Sequence, residues 1–171
     1  IIWAVVWVFF MFGSGIVERV VNPEVELKED RNMTTQYFNT DIEVGENQSY
    51  KVTEQIGVDF LTPRHGIYRY IPVKGSVLTK VGGNFQGVPY NARMTELESG
   101  EETEVDSESG SKVIRFGSED AYLTGRKEYR FSYTVTPRFQ ENAYQNAYYN
   151  VFPTQWQNSI PAGSRFTITF P

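Results

Sequence analysis

The chain's single histidine, His65, stands in the stretch "RHGIYRYIP", Arg64–Pro72, beside Arg64 and close to Arg69. An imidazole flanked by guanidiniums is a candidate anion or substrate site, because each of these groups can donate hydrogen bonds to an oxyanion. A carboxylate lies upstream, Glu54, in the middle of "SYKVTEQIGVDF". Alternation there places Tyr50, Val52, Ile56, Val58 and Phe60 on one face of a strand. Lys51, Thr53, Gln55 and Asp59 take the other. Glu54 falls on the apolar face, where an unpaired carboxylate is expensive. It needs a cation or several donors, and Arg64 and Arg69 are the nearest downstream candidates. Arg69 lies inside the strand-like "IYRYIP" and is the expected partner. The structural reading is an ion pair that locks this strand to the next corner. The chemical reading is a catalytic or ligand-binding carboxylate. The structural reading is the expectation, with anion binding or partner docking as the other role for the corner Glu54, Arg64, His65 and Arg69.

Other chemistry finds less support. A Ser-His-acid set would have to use His65 as its base, yet no serine sits in a G-x-S-x-G elbow. Glycoside hydrolysis needs two carboxylates across a cleft, and nothing marks a second acid beside Glu54. "KVGGNFQG" lacks the Lys-Ser/Thr that would hold phosphate and metal. With no cysteine and one histidine, thiolate zinc and multi-histidine metal sites are excluded. "ELESGEETEVDSESGS", Glu96–Ser111, has alternating acids without the glycine spacing of a calcium loop, and reads as a solvated acidic loop. No metal and no cofactor is expected. The remaining candidate is a binding surface. "QENAYQNAYYNVFPTQW" carries Tyr144, Tyr148, Tyr149, Asn150 and Trp156. Such rings can stack on sugars while amides bond hydroxyls; the plainer reading is that they cover one open end of the fold.

The elements that must position these residues are strands. "QYFNTDIEV" sets Phe38, Ile42 and Val44 on one face, "GENQ" is a turn, and "SYKVTEQIGVDF" completes an antiparallel hairpin. "SVLTKV", "KVIRFG", "KEYRFSYTVTP" and "SRFTITFP" are further strands, and "VPYNARMTEL" is a weaker one suited by Pro89 to an edge or a strand start. In "KEYRFSYTVTP", Tyr129, Phe131, Tyr133 and Val135 share a face. Many short strands without a strong amphipathic helix predict an all-β fold, an antiparallel β-sandwich, immunoglobulin-like in general architecture. Pro63 and Pro72 bracket the histidine stretch and Gly66 permits a tight turn, so that stretch reads as an extended corner between strands.

Ahead of the strands lies "IIWAVVWVFFMFGSGIV", Ile1–Val17, with no charge. As a helix it would span ~25 Å at ~1.5 Å per residue, close to a bilayer core. It reads as a transmembrane anchor or a signal-peptide core with Gly13-Ser14-Gly15 at a cleavage site. Residues 18–34 form a polar connector, in which Asn22 and Pro23 suit the start of a short helical turn. Residues 35–171 form the β domain. The net charge of −5 argues against nucleic acid.

"SYKVTEQIGVDF", "HGIYRYIP", "EYRFSYTV", "YYNVFPTQWQNSIP" and "FTITFP" occur in an order that resembles a family of predicted bacterial membrane proteins, "domain of unknown function 2207". The resemblance runs from about Tyr37 to Pro171, and its most specific part is the V-T-E strand followed by H-G-I-Y-R-x-I-P. It implies an N-terminal apolar segment, a β domain on the extracytoplasmic side of the bacterial cell membrane, and further transmembrane helices beyond the present chain. The family supplies no catalytic residues. Its members often carry an acid where this chain has Tyr70, so a charge there is not essential to the motif. The expected function is a non-enzymatic interaction or sensing module of an envelope protein, attached to the membrane and open to a protein or glycan partner. The alternative is a cell-wall glycan-binding or glycan-active domain that uses residues 141–158.

Overall fold

The computed structural model describes residues 29–81, 84–138, 153 and 155–171. The apolar segment 1–17, most of the connector with its expected helical turn, and Tyr144, Tyr148, Tyr149 and Asn150 lie outside the described residues. Nine strands are described: β1 (Met33–Val44), β2 (Tyr50–Arg64), β3 (Ile67–Pro72), β4 (Lys74–Val81), β5 (Asn84–Ser99), β6 (Thr103–Glu108), β7 (Ser111–Phe116), β8 (Leu123–Pro137) and β9 (Phe166–Thr169). Among the described residues no helix is long and apolar enough to cross a membrane. β1 takes in Met33 and Thr34, the last two residues of the segment read as connector.

The alternation explains the central strands. Tyr50, Val52, Ile56, Val58 and Phe60 of β2 are all buried, as are Tyr129, Phe131, Tyr133 and Val135 of β8. Branched and aromatic side chains suit a half-buried pleated surface, and each large one enclosed contributes about 1.5–3 kcal/mol before chain entropy is counted. β1 and β2 form the expected hairpin, with Ile42 opposite Val52 and Val44 opposite Tyr50. The turn closes through Gln48 N donating to the Gly45 carbonyl at 2.9 Å and Gly45 N to that of Ser49 at 2.8 Å.

The strands divide into a six-stranded sheet, β4-β5-β8-β2-β1-β9, and a three-stranded sheet, β3-β7-β6. Their inner faces share one core, in which the Phe116 ring of β7 lies 4.3 Å from that of Phe131 on β8. The fold is all-β with two sheets, but it is not wholly antiparallel. β9 runs parallel to β1, pairing Thr40–Glu43 with Phe166–Thr169. A parallel partner requires a long crossover, and the stretch between Pro137 and Phe166 is long enough to return the chain to the outer edge of β1. Ser164 Oγ accepts from Phe38 N at 3.0 Å, and Arg165 N donates to Asn39 Oδ1 at 2.9 Å, fixing that register.

One further expectation is corrected. The acidic stretch is no simple loop. Thr103–Glu108 is strand β6, paired along its length with β7. It is an edge strand exposed on nearly every side chain, so no apolar alternation marks it; its carboxylates discourage pairing with another chain. "VPYNARMTEL" belongs to the longer β5, whose first half pairs with β4 and whose second half pairs with β8. Pro89 falls in the half that has a partner on one side only, where a missing N–H is tolerated.

The core contains one polar defect with a measurable consequence. The Tyr129 side chain is fully buried and its hydroxyl has no hydrogen-bond partner among the described residues. Burial, with a smaller push from the negative charge of Glu101, raises its pKa above the ordinary tyrosine value. A raised folded-state pKa contributes stability that is complete below the unfolded value, about 10, and is lost as pH climbs beyond it. Tyr129→Phe removes an unsatisfied hydroxyl and should raise stability at neutral pH by about 1 kcal/mol. Urea unfolding at neutral pH and above pH ~10 checks this: the variant should be the more stable at both, with a shallower alkaline decline.

Candidate functional site

The residues singled out in the sequence separate into an enclosed ion pair, a corner and a packed tryptophan. Glu54 on β2 is 0% exposed and Arg69 on β3 is 2% exposed. Arg69 Nε donates to Glu54 Oε2 at 2.7 Å, and Nη2 donates to Oε1 at 2.9 Å. This is the two-pronged geometry that matches a planar guanidinium to a carboxylate. Arg69 Nη1 donates to the Tyr70 carbonyl at 2.6 Å, and the guanidinium lies 5.7 Å from the Phe38 ring centre. The Tyr133 hydroxyl on β8 donates to Glu54 Oε1 at 2.5 Å. Glu54 belongs to the six-stranded sheet and Arg69 to the three-stranded one, so the pair spans the two layers. Sequence reasoning missed Tyr133 as a member. Its signal was a phenol on an apolar face, where a buried hydroxyl needs an acceptor.

Arg64 does not reach Glu54. It pairs instead with Asp30 at 2.6 Å, tying the start of the described chain to the end of β2. His65 lies between the two sheets, where β2 hands over to β3. Its Nδ1 is 3.2 Å from the Ser118 carbonyl oxygen and 3.1 Å from that of Ala121. Carbonyl oxygens only accept, so Nδ1 carries the hydrogen and holds the loop before β8. The His65 ring also packs on Tyr122 at 4.1 Å. Gly66, at φ +136°, lies so near β7 that a Cβ would stand 1.7 Å from the Phe116 carbonyl oxygen. Gly117 faces it at φ +120°, where a Cβ would stand 2.0 Å from the His65 carbonyl oxygen. The two backbones touch where only glycines fit. The corner is therefore built by side-chain-to-backbone bonds and a glycine contact, and Arg69 is the residue of this stretch that meets Glu54.

A second ionisable cluster crosses the outer face of β1, β2 and β8. The Tyr37 ring covers Gly57, its opposite number on β2, and the Tyr37 hydroxyl donates to Glu128 Oε2. Gln55 Nε2 donates to the other carboxylate oxygen at 2.8 Å. The Tyr37 bond, and then the Gln55 bond, hold the Glu128 pKa below its ordinary value. Burial and the adjacent carboxylate push the Tyr37 phenol up to about 12. This cluster reads as a latch over a glycine gap in the sheet.

Of the aromatic surface expected over 141–158, the described member is Trp156. It is partly buried against the core. Its Nε1 donates to Thr35 Oγ1 at 2.8 Å and its ring meets Phe38 edge-on at 5.6 Å. The indole is thus tied to β1. Among the described residues no group of three or more His, Cys, Asp or Glu side chains is placed to hold a metal ion.

A family model described as the N-terminal domain of a predicted membrane protein, DUF2207, matches residues 35–171. No curated protein matches the chain.

The enclosed pair makes a clear demand on stability. Glu54→Gln leaves a buried guanidinium without its counter-charge and should cost about 3–5 kcal/mol in urea unfolding. Glu54→Leu combined with Arg69→Met removes both charges and should recover most of that loss. A double variant as unstable as Glu54→Gln would contradict the ion-pair account.

Proposed function

Because the chain belongs to the DUF2207 family of predicted membrane proteins, through the N-terminal domain of that family, we propose that it is the extracytoplasmic interaction or sensing module of a membrane-anchored bacterial envelope protein, and that it acts by binding rather than catalysis. The charge-free run Ile1–Val17 supports attachment to a membrane. The enclosure of Glu54 supports a non-catalytic role for that carboxylate. It is fully out of contact with solvent, and its two oxygens accept from Arg69 and Tyr133, so a substrate has no path to it without opening the core.

The observation that carries the binding reading is the surface of the histidine corner. Among the described residues the exposed large apolar side chains are Leu61, Tyr68, Val105, Tyr122 and Phe170. Tyr122 stands at the corner itself, Leu61 near the end of β2 and Tyr68 at the start of β3. Leu61 and Tyr68 flank His65 within four residues on either side, and the Tyr122 ring packs on the His65 ring. Tyr122 is 70% exposed although its backbone is held by the neighbouring bond to His65. Scattered apolar residues need no explanation, but a largely exposed aromatic ring held on a fixed frame suits a partner. Tyrosine serves such surfaces well because it offers a large face at small loss of side-chain freedom.

A photo-crosslinking side chain placed at Tyr122 in living cells tests this reading. It should trap a discrete partner, while the same group at the exposed Glu43 on β1 should not. Adducts absent from Tyr122, Tyr68 and Leu61 alike would remove the corner as the binding surface.

A further inference from the structure

A cleft of about 440 Å³ opens at the far end of the three-stranded sheet, where β3 gives way to β4 and the β6–β7 turn meets β5. It lies six residues of β3 away from the histidine corner, roughly 20 Å at ~3.3 Å per residue. Its frame is held by backbone bonds. Val73 N and Lys74 N both donate to the Gly110 carbonyl, at 2.9 and 2.8 Å. Ala92 N donates to the Val73 carbonyl at 2.7 Å and Arg138 N to that of Asn91 at 2.7 Å. Gly110 sits at φ +83°, where a Cβ would stand 2.8 Å from the Lys74 carbonyl oxygen, so this turn admits little else.

The lining is basic. Lys74, Arg93, Lys112 and Arg138 face Glu108 as the single carboxylate. This runs against the chain, whose net charge is −5. Cations elsewhere divide. Arg64, Arg69, Arg115, Arg126, Lys127 and Arg165 each have a carboxylate partner. None of the four cleft cations has one among the described residues; Lys112 Nζ donates to the Ser107 hydroxyl at 2.8 Å. Arg31, Lys51 and Arg130 likewise have no ion pair among the described residues, so what sets the cleft apart is the gathering of four. Gathering like charges around one concavity raises their mutual repulsion and concentrates anions there. Such a cluster makes physical sense when an anion completes it.

We propose that this cleft binds a small phosphate-bearing ligand. The volume falls in the range of small-molecule sites, ~300–1,000 Å³. Once Glu108 is counted, three positive charges remain, more than one carboxylate would offset and suited to a multiply charged phosphate. Arginine forks and lysine point charges both serve phosphate oxygens. The ligand's phosphate belongs either to a free phosphate compound or to the headgroup of an anionic lipid.

The test is a titration of the isotope-labelled 171-residue chain, held in neutral detergent and followed by amide resonances. Pyrophosphate represents the free compound, glycerol 3-phosphate the multiply charged phosphomonoester headgroup of phosphatidic acid without its acyl chains, and citrate is the carboxylate control. At least one phosphate probe should shift the amides of Gly110, Lys74 and Arg93 saturably, and the tighter of the two identifies the source. Lys74→Glu with Arg138→Glu, both at exposed side chains, should weaken that binding by about ten-fold or more while leaving distant amide resonances in place. Shifts no larger than those from chloride at equal ionic strength would overturn the proposal. So would citrate binding as tightly as either phosphate, or affinity untouched by the charge reversals. Because the cleft and the histidine corner do not overlap, failure here leaves the crosslinking result intact, and the reverse also holds.

Discussion

A charged pair with almost no solvent contact joins the two layers of this fold. Glu54 stands on the six-stranded sheet, Arg69 on the three-stranded sheet, and Tyr133 completes the carboxylate's bonding from a neighbouring strand. Burial of two charges carries a large desolvation cost, so such a pair adds little net stability over a well-packed apolar pair. What it adds is position. An apolar interface tolerates sliding, whereas a fork-on-carboxylate contact allows one offset between β2 and β3. The three-stranded sheet, with a sparse apolar face of its own, gains its register on the larger sheet from that contact and from the Phe116–Phe131 packing.

This constraint explains the shape of the corner. β2 must end on one sheet and β3 must begin on the other within two residues. Gly66 and Gly117 let the two backbones touch, His65 holds the loop before β8, and Arg64 draws in Asp30. The corner then carries Tyr122 and Tyr68 outward on a fixed frame. The basic cleft follows from the same arrangement at the other end of β3, where the β6–β7 turn is drawn against β5. Both proposed surfaces are thus products of how the sheets are joined, and neither uses the enclosed pair itself.

Much of this was legible in the sequence, for a physical reason. A carboxylate interrupting the apolar side of an alternating strand demands compensation, and the next strand offers an arginine at the right phase. The faces of β2 and β8 were readable because both are central strands with one buried side. β6 was not, since an acidic edge strand exposed on both faces has no period to read. The parallel β9 was not, because no turn sets its direction; its place depends on a long return of the chain. Nor was the cleft, whose cations come from β4, β5, β7 and the end of β8 and meet only in three dimensions. Arg64 and Arg69 looked alike as partners for Glu54 in composition, and only their phase along the strand separates them.

The central claim is that the ion pair makes the two sheets one cooperative unit. Native-state hydrogen exchange on the unmodified chain tests it most directly, because it reads the opening free energy of each strand separately. The slowest amides of β3 and β7 should open with the same free energy as those of β2 and β8, within about 1 kcal/mol. If the three-stranded sheet opens well below that value while the six-stranded sheet stays closed, the pair does not couple the layers and the account fails.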